Sequence, residues 1–181
     1  MFALPAGFHF GLATTTENEG GYSIDAFIKC GRNSKYFDRQ AASMVAPLLL
    51  TCFPHIPQRI TRADIRIGNF RAIVTATSPT GIVGQLLVHV TREGGYIIRA
   101  VSVDPAHRRR GLANLMLRTT MAKVLRNNGM KVELRVDTFD RNAAWLLAWY
   151  GRMGFARVDT VRSEHCLVYK EEEKKENEEN K

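Results

Sequence analysis

The chain has 181 residues, of which 45% are hydrophobic, and this length and composition predict a globular protein with a continuous apolar core. Its most apolar run, residues 44–53, contains Pro47 and is much shorter than the ~20 residues of a membrane-spanning helix, so we expect no membrane segment. The formal net charge is +8, and residues 170–181 contain four Lys and six Glu, which leaves +10 on the rest. A basic body favours an anionic partner, and charge alone leaves open a phosphate-bearing cofactor, nucleic acid or an acidic protein surface.

The N-terminal residues and the cysteines indicate a reducing compartment. No Lys or Arg occurs in the first 28 residues, so the charged start of a secretory signal is missing, and we expect a cytoplasmic protein. Cys30, Cys52 and Cys166 are odd in number and form no C-x-x-C pair. This pattern argues against a disulfide framework and against a zinc site, so we expect three reduced thiols and no metal.

The N-terminal third has the weakest patterns. We predict a short strand at 8–13, a loop at 14–21 and one or two helical turns at 24–30. A clearer helix starts at Ser34, a good N-cap residue, and is kinked or ended by Pro47. One face of this helix has apolar residues at amphipathic spacing, namely Phe37, Ala41, Val45 and Leu48.

Three β-rich runs follow, at 70–77, 82–91 and 97–103. The turn signals Ser-Pro-Thr-Gly and Glu-Gly-Gly separate them, so we predict an antiparallel meander. Next come a helix that ends near residue 129 and an alternating strand at 131–137. A second helix, at 142–153, and two short strands, at 156–160 and 166–170, complete one mixed sheet covered by helices.

A basic loop joins the third strand of the meander to the helix. Pro105 cannot donate to a sheet, so the strand ends at Asp104. From about Arg108 to Ala113 the first amides of the helix have no acceptor one turn back. With the helix dipole and three consecutive arginines, they suit a phosphate or pyrophosphate. Gly111 lets the backbone approach an anion closely; the alternative is an ordinary solvated turn.

Two motifs resemble the GNAT superfamily of N-acetyltransferases. Arg108-x-x-Gly111-x-Ala113 is similar to the family's acyl-CoA pyrophosphate loop, and Tyr150-x-x-x-Gly154-Phe155 is similar to the end of its second cofactor helix. The stretch from Val-Asp-Pro to Arg-Arg-Arg-Gly-Leu is nearest to the ribosomal-protein N-terminal acetyltransferases. The resemblance implies an α/β (α+β) fold with a mixed central sheet of six to seven strands, flanked by helices, in which a splayed strand pair holds acyl-CoA.

The resemblance implies one domain over residues 1–169. Within it, 1–69 is the variable acceptor-side part and 70–169 is the acyl-CoA-binding core. Residues 170–181 form a charged tail. Because residues 171–181 contain only Glu, Lys and Asn, with no apolar side chain for packing, we expect the tail to be disordered.

The resemblance also implies site residues for acetyl-CoA, the co-substrate. The pantetheine arm contacts the main chain of Val101 and Val103. The pyrophosphate contacts the basic loop and helix start, which comprise Arg108, Arg109, Arg110, Gly111, Leu112 and Ala113. Tyr150 acts as a general acid that protonates the departing thiolate. The alternative is that Tyr150 only packs with Trp145 and Trp149, both of which we expect in the core.

The sequence departs from the family pattern at two places. Asn142 lies eight residues before Tyr150, where related enzymes commonly have Asn seven before, so it either contacts the cofactor through an altered helix start or only caps the helix. Arg135 stands where the ribosomal-protein enzymes have their glutamate base, and arginine cannot accept a proton at neutral pH. Glu133, Asp137 or a water molecule takes that role instead.

The resemblance implies an N-acetyltransferase that moves the acetyl group of acetyl-CoA to a primary amine by direct attack in a ternary complex. The amine belongs to a protein N-terminus, a lysine, a small molecule or aminoacyl-tRNA. The alternative is a catalytically degenerate acyl-CoA-binding module or a basic nucleic-acid-binding module. We expect a monomer or a homodimer.

Overall fold

The computed structural model describes residues 11–18, 21–28, 48, 51–52, 70–125 and 130–170. The helix predicted from Ser34 lies outside these ranges except for Leu48, which is helical and buried, and the predicted tail lies outside them except for Lys170. Two compact units divide the chain, Met1–Met130 and Lys131–Lys181, and each is described by itself.

The described part of the first unit contains five strands. They are β1 (Gly11–Asn18), β2 (Tyr22–Ile28), β3 (Phe70–Ser78), β4 (Gly81–Val90) and β5 (Tyr96–Val103). Each strand pairs antiparallel with the next, so the spatial order follows the chain order. The three strands of the predicted meander are confirmed, and their turns lie at the predicted Ser-Pro-Thr-Gly and Glu-Gly-Gly segments.

The structure corrects the N-terminal predictions. Residues 14–18, predicted as loop, continue strand β1, and residues 24–28, predicted as helical turns, belong to β2. Tyr22, Ile24 and Ala26 are buried and alternate with less buried neighbours, which is the period-two pattern of a strand. The apolar residues that were predicted to lie on a short helical turn therefore lie on one face of a strand. Gly21, with a φ of 74°, forms the turn between β1 and β2.

A helix covers one face of this sheet. Helix α1 (Leu112–Thr119) packs on β2, β3, β4 and β5 through the buried side chains of Leu112, Met116 and Leu117. It continues as a π-helical turn, Thr120–Val124, in which the buried Thr120 hydroxyl donates to the Met116 carbonyl at 2.8 Å. A Cβ on Gly84 would lie 3.1 Å from Met116 Cε, so glycine in β4 allows the close approach of α1.

The opposite face of the same sheet carries a row of polar side chains. Thr75, Gln85 and Ser102 are paired across β3, β4 and β5 and are all buried. The two amide atoms of Gln85 have no hydrogen-bond partner within the described structure. Such atoms destabilise the folded state because they lose water without gaining a partner.

The second unit contains three strands and one helix: β6 (Val132–Asp137), α2 (Ala143–Arg152), β7 (Phe155–Val161) and β8 (Glu164–Tyr169). Strand β8 lies between β6 and β7 and is antiparallel to both. Val132, Leu134 and Val136 are buried and alternate with Glu133, Arg135 and Asp137, as predicted. Helix α2 packs on β6 and β7.

The eight described strands are one more than the upper end of the predicted six to seven. Among the described residues, no helix combines the length and apolarity needed to span a membrane. Cys52 and Cys166 are free thiols, and Cys30 lies outside the described residues.

Candidate functional site

Strand β5 contains an irregularity just before its end. Gln85 pairs with Ser102 and Leu87 pairs with Arg99, so the two residues Ala100 and Val101 oppose a single residue of β4. Ala100 has a left-handed φ of 52°, which is costly for a residue with a Cβ. This is a β-bulge, and it takes the main chain of Ala100 and Val101 out of the regular ladder. No local sequence signal marked this bulge, which lies where the pantetheine contact was predicted.

The strand then turns into the basic loop, residues 104–111. Asp104 accepts a hydrogen bond from the Ala106 amide on its side-chain Oδ1 at 2.8 Å, and its own amide donates to the Val83 carbonyl at 2.8 Å. Pro105 begins a short 3₁₀ turn that ends at His107. The predicted strand end at Asp104–Pro105 is therefore confirmed, and both the proline and the aspartate side chain contribute to it.

Gly111 is the N-cap of α1 and has a φ of 74°. A Cβ at this position would meet no atom of the described residues within 4 Å. The first amides of a helix have no intrahelical acceptor, which leaves the N–H groups of Leu112 and Ala113 as donors at the positive end of the dipole. The Leu112 side chain is buried in the core and is 1% exposed.

The three consecutive arginines have different surroundings. Arg108 donates from Nε to the Val103 carbonyl oxygen at 3.0 Å, which fixes its guanidinium against the end of β5. The guanidinium carbon of Arg110 lies 5.8 Å from the ring centroid of Tyr22. Arg109 has a left-handed φ of 62°, and all three arginines are exposed. Two of the three are thus held by the first unit itself.

Tyr22 of β2 contacts this loop twice. Its hydroxyl is 2.9 Å from His107 Nδ1, and the two rings are edge-to-face with centroids 5.7 Å apart. The same ring lies beneath Arg110. The sequence predictions assigned no role to Tyr22 or His107, because nothing local links two residues 85 positions apart.

A thiol lies beside the same strand end. Cys52 Sγ is 3.6 Å from the Val103 carbonyl oxygen, to which it donates. Burial raises the pKa of Cys52, and the hydrogen bond and charge of Arg108 partly oppose that shift. The thiol is therefore protonated at neutral pH and is a poor nucleophile.

In the second unit, Tyr150 lies near the end of α2 and is 8% exposed. Its ring contacts Trp149, with centroids 4.5 Å apart, and Phe155 at 6.0 Å. Burial raises the pKa of the Tyr150 hydroxyl, so the phenol keeps its proton throughout the neutral range. Packing and proton donation are thus compatible at Tyr150, because its ring is buried in the core while its hydroxyl stays protonated.

The prediction that both tryptophans are core residues is half wrong. Trp149 is buried, but Trp145 is 60% exposed. The two rings are stacked, with centroids 5.9 Å apart and planes 5° apart. Helical spacing places both tryptophans on one face, but only the C-terminal part of that face, at Trp149, is buried.

Asn142 is exposed and occupies the N-cap position of α2, but its side chain makes no capping hydrogen bond. The side chain of Asp140 instead accepts from the Asn142 amide at 2.7 Å. Asn142 is therefore the cap residue of α2, as one alternative predicted, and it acts through its main-chain carbonyl, which accepts from the Leu146 amide at 2.9 Å. Its predicted cofactor contact stays a prediction.

The candidate bases on β6 already have partners within the second unit. Glu133 forms an ion pair with Lys131 at 2.6 Å, and Asp137 accepts from the Phe139 amide at 2.9 Å. Arg135 pairs with Glu164 at 2.9 Å, and the hydrogen bond that Arg135 donates to this carboxylate raises the Arg135 pKa further. In the described part of the chain, no group of three or more His, Cys, Asp or Glu side chains could hold a metal ion.

Comparison with known proteins agrees with this architecture. Residues 69–157 match the family model described as acetyltransferase (GNAT) domain. No curated protein matches the chain at a significant level.

Solved structures show the fold. A protein from Pyrococcus horikoshii OT3 is 16% identical, with 82% of this chain and 98% of that chain covered and a TM-score of 0.59. PaiA N-acetyltransferase from Thermoplasma acidophilum, in complex with coenzyme A, is 12% identical, with 82% and 99% covered and a TM-score of 0.57. An acyl-CoA N-acyltransferase from Pseudomonas aeruginosa is 19% identical, with 72% and 90% covered and a TM-score of 0.57. The predicted fold class, a GNAT-like α/β domain, is confirmed.

Proposed function

We propose that this chain, which has the GNAT fold, is an N-acetyltransferase that moves the acetyl group of acetyl-CoA to a primary amine. The observation that carries the proposal is the geometry of Gly111. Its φ is 74°, the space around a Cβ there is open, and α1 starts at the next residue. These features suit a pyrophosphate, because an anion gains direct access to amides at the positive end of a helix dipole.

The residues proposed to bind acetyl-CoA follow from this geometry. The amides of Leu112 and Ala113 would hold the pyrophosphate, with charge supplied by Arg108, Arg109 and Arg110. The main chain of Val101 and Val103 would hold the pantetheine arm, and the bulge at Ala100–Val101 frees main-chain groups for that purpose. The Val103 carbonyl already accepts from Arg108 and Cys52, so the bulge residue is the stronger candidate. Asn142 is kept as a further candidate contact.

Acetyl-CoA supplies the acetyl group as a thioester. In the proposed reaction the neutral amine of the acceptor forms the new N–C bond while the C–S bond breaks. Tyr150 donates its phenolic proton to the departing sulfur, which would otherwise leave as a thiolate. The Tyr150 phenol carries its proton at neutral pH, because burial raises its pKa. The amine loses its proton to Glu133, Asp137 or water, and a proton from solvent restores the phenol.

The acceptor is proposed only as a primary amine. Protein N-termini, lysine side chains, small-molecule amines and aminoacyl-tRNA all fit this description. The likeness of the Val-Asp-Pro to Arg-Arg-Arg-Gly-Leu stretch to the ribosomal-protein N-terminal acetyltransferases makes peptide N-termini the first acceptors to test.

Thermal unfolding with acetyl-CoA is the primary test. Co-substrate that binds only the folded state stabilises it by RT ln(1 + [L]/Kd), or ~2.7 kcal/mol at a hundredfold excess over Kd, so the melting temperature should rise. Acetyl transfer is then measured on a panel with peptides, lysine, polyamines and aminoacyl-tRNA.

The two measurements separate the alternatives. If millimolar acetyl-CoA leaves the melting temperature unchanged, the proposal is wrong. A rise in melting temperature without transfer to any amine would instead identify an acyl-CoA-binding module that has lost catalysis. RNA retention that weakens steeply with salt would support an RNA-bound acceptor, because phosphate contacts release counterions.

A further inference from the structure

Tyr22 contacts the basic loop at two points, although it is 85 residues away from His107 in the chain. Its hydroxyl lies 2.9 Å from His107 Nδ1, in the middle of the loop. Its ring lies beneath the guanidinium of Arg110, which directly precedes the N-cap of α1. One side chain therefore contacts the loop at two residues, His107 and Arg110, with Arg108 and Arg109 between them.

Tyr22 is suited to this task because the sheet itself fixes it. It is the first residue of β2 and is 5% exposed. It projects from the same face of β2 as Ile24 and Ala26, and these two residues are fully buried. A buried tyrosine hydroxyl usually has a hydrogen-bond partner, and for Tyr22 this partner is His107.

The loop needs such support because its backbone is strained. Arg109 has a φ of 62° and Gly111 a φ of 74°, so a left-handed residue lies on each side of Arg110. Arg109 carries a Cβ, and such a residue stays left-handed only where its surroundings over-determine the conformation. Contacts to Tyr22 fix the residues that flank Arg109, at 107 and 110. The strained residue thus lies between two anchored ones.

We propose that Tyr22 is a positioning residue that holds the basic loop, before any ligand arrives, in the conformation that receives the pyrophosphate of acetyl-CoA. This inference rests on the proposed function. Its physical content is preorganisation: a loop that is already ordered loses less conformational entropy on binding an anion. Removing the contact should weaken binding of the phosphate-bearing part of the ligand and leave the fold of the sheet intact.

The test is the affinity for coenzyme A, measured by titration calorimetry on the full chain. Tyr22→Phe removes only the hydroxyl and should raise Kd by about three- to tenfold, the effect of one lost hydrogen bond. Tyr22→Leu also removes the ring beneath Arg110 and should raise Kd further. Tyr96→Phe is the matched control, since Tyr96 is a buried tyrosine at the opposite end of β5 from the loop, and it should leave Kd unchanged.

A double-mutant cycle separates positioning from general packing. In a His107→Ala background, Tyr22→Phe should change Kd by less than about twofold, because the partner of the hydroxyl is already gone. The affinity for pantetheine, which lacks the pyrophosphate, should be the same in Tyr22→Phe as in the parent. An equal loss for pantetheine, or a full effect of Tyr22→Phe without His107, would overturn the inference.

The failure of the inference and the failure of the proposed function give different results. If the parent protein does not bind coenzyme A, both are wrong. If the parent binds it and Tyr22→Phe binds it equally well, with both proteins folded, only the positioning role is wrong.

Discussion

The amide of Leu115 donates to the carbonyl oxygen of Gly111 at 3.0 Å, and this first helical hydrogen bond makes Gly111 the N-cap of α1. The amides of Leu112 and Ala113 precede the first residue that donates within the helix, so they have no acceptor inside α1. We expect a side chain at residue 111, which directly precedes these two amides, to hinder an anion that approaches them.

Replacing Gly111 by Glu should abolish coenzyme A binding. The carboxylate would enter the open space and compete with the ligand for the amides, so we expect Kd to rise by at least about a hundredfold. The left-handed φ of 74° adds strain on the order of 1–2 kcal/mol, which a folded domain tolerates. Titration calorimetry gives the affinity, and circular dichroism confirms the fold.

Gly94→Glu is the matched control for this change. Gly94 also has a positive φ, 87°, and open space around a Cβ, but it lies in the β4–β5 turn. The same charge and similar strain are introduced there without any change at the helix start. Equal loss of binding in both variants would mean that Gly111 acts only through stability.

Replacing Tyr150 by Phe should separate catalysis from packing. The ring and its contacts with Trp149 and Phe155 remain, so the melting temperature and the affinity for acetyl-CoA should barely change. Turnover should fall by about ten- to a hundredfold, near the lower range for a general acid. Tyr169→Phe, which alters another tyrosine of the second unit that contacts Phe155, should leave turnover unchanged.

Two outcomes would contradict the general-acid role. Parent-like turnover in Tyr150→Phe would show that the thiolate leaves without this proton. A loss of more than about 1 kcal/mol in unfolding free energy would indicate a structural hydrogen bond of the hydroxyl instead.

His89 should make the unfolding free energy depend on pH below neutrality. Burial, and to a lesser extent the charge of Arg99, lowers the pKa of His89 to about 4. Between the unfolded value of ~6.5 and this folded value, the unfolded chain takes up a proton that the folded chain does not, so the contribution to stability is complete above 6.5 and is lost as pH falls. At pH 5 we expect a cost of about 1–2 kcal/mol from this residue.

Urea unfolding at pH 7 and pH 5 measures this effect. The His89→Gln variant lacks the titrating ring, so its loss of stability over this interval should be smaller than that of the parent by the same amount. Equal losses in the two proteins would show that His89 titrates normally in the folded state.

Replacing Gln85 by Leu should stabilise the protein. The side chain is 0% exposed, and its amide nitrogen and oxygen lack partners in the described structure. Leucine has a similar shape and no polar group to desolvate, so we expect the unfolding free energy to rise by about 1–2 kcal/mol. Thr120→Val is the control, because its buried hydroxyl donates to the Met116 carbonyl at 2.8 Å and should give no gain. A loss of stability in Gln85→Leu would mean that an internal water satisfies the amide.

The sequence alone predicts the elements whose signals are local. Strands β3, β4 and β5 are bounded by Gly and Pro turns, β6 alternates with period two, and α2 starts within one residue of its predicted position. The basic loop is recognised for the same reason. Pro105 ends a strand, Gly111 permits a left-handed cap, and an apolar helix pattern follows, so each step depends only on neighbouring residues.

Only the tertiary structure decides the features that depend on distant residues. Strand β2 is stable because β1 and β3 pair with it and α1 packs on it, and seven residues alone cannot show this. The bulge at Ala100–Val101 arises from the register with β4. The exposure of Trp145 depends on how far the sheet extends beneath α2.

The contact between Tyr22 and His107 belongs to this second group. The sequence separates the two residues by 85 positions, and each is unremarkable in its own segment. Backbone propensity and periodicity act over a few residues, whereas the side chains that hold a strained loop are chosen by which strands fold next to it. The sequence by itself therefore determines where the proposed anion-binding loop lies, and the tertiary structure determines which buried residue contacts it.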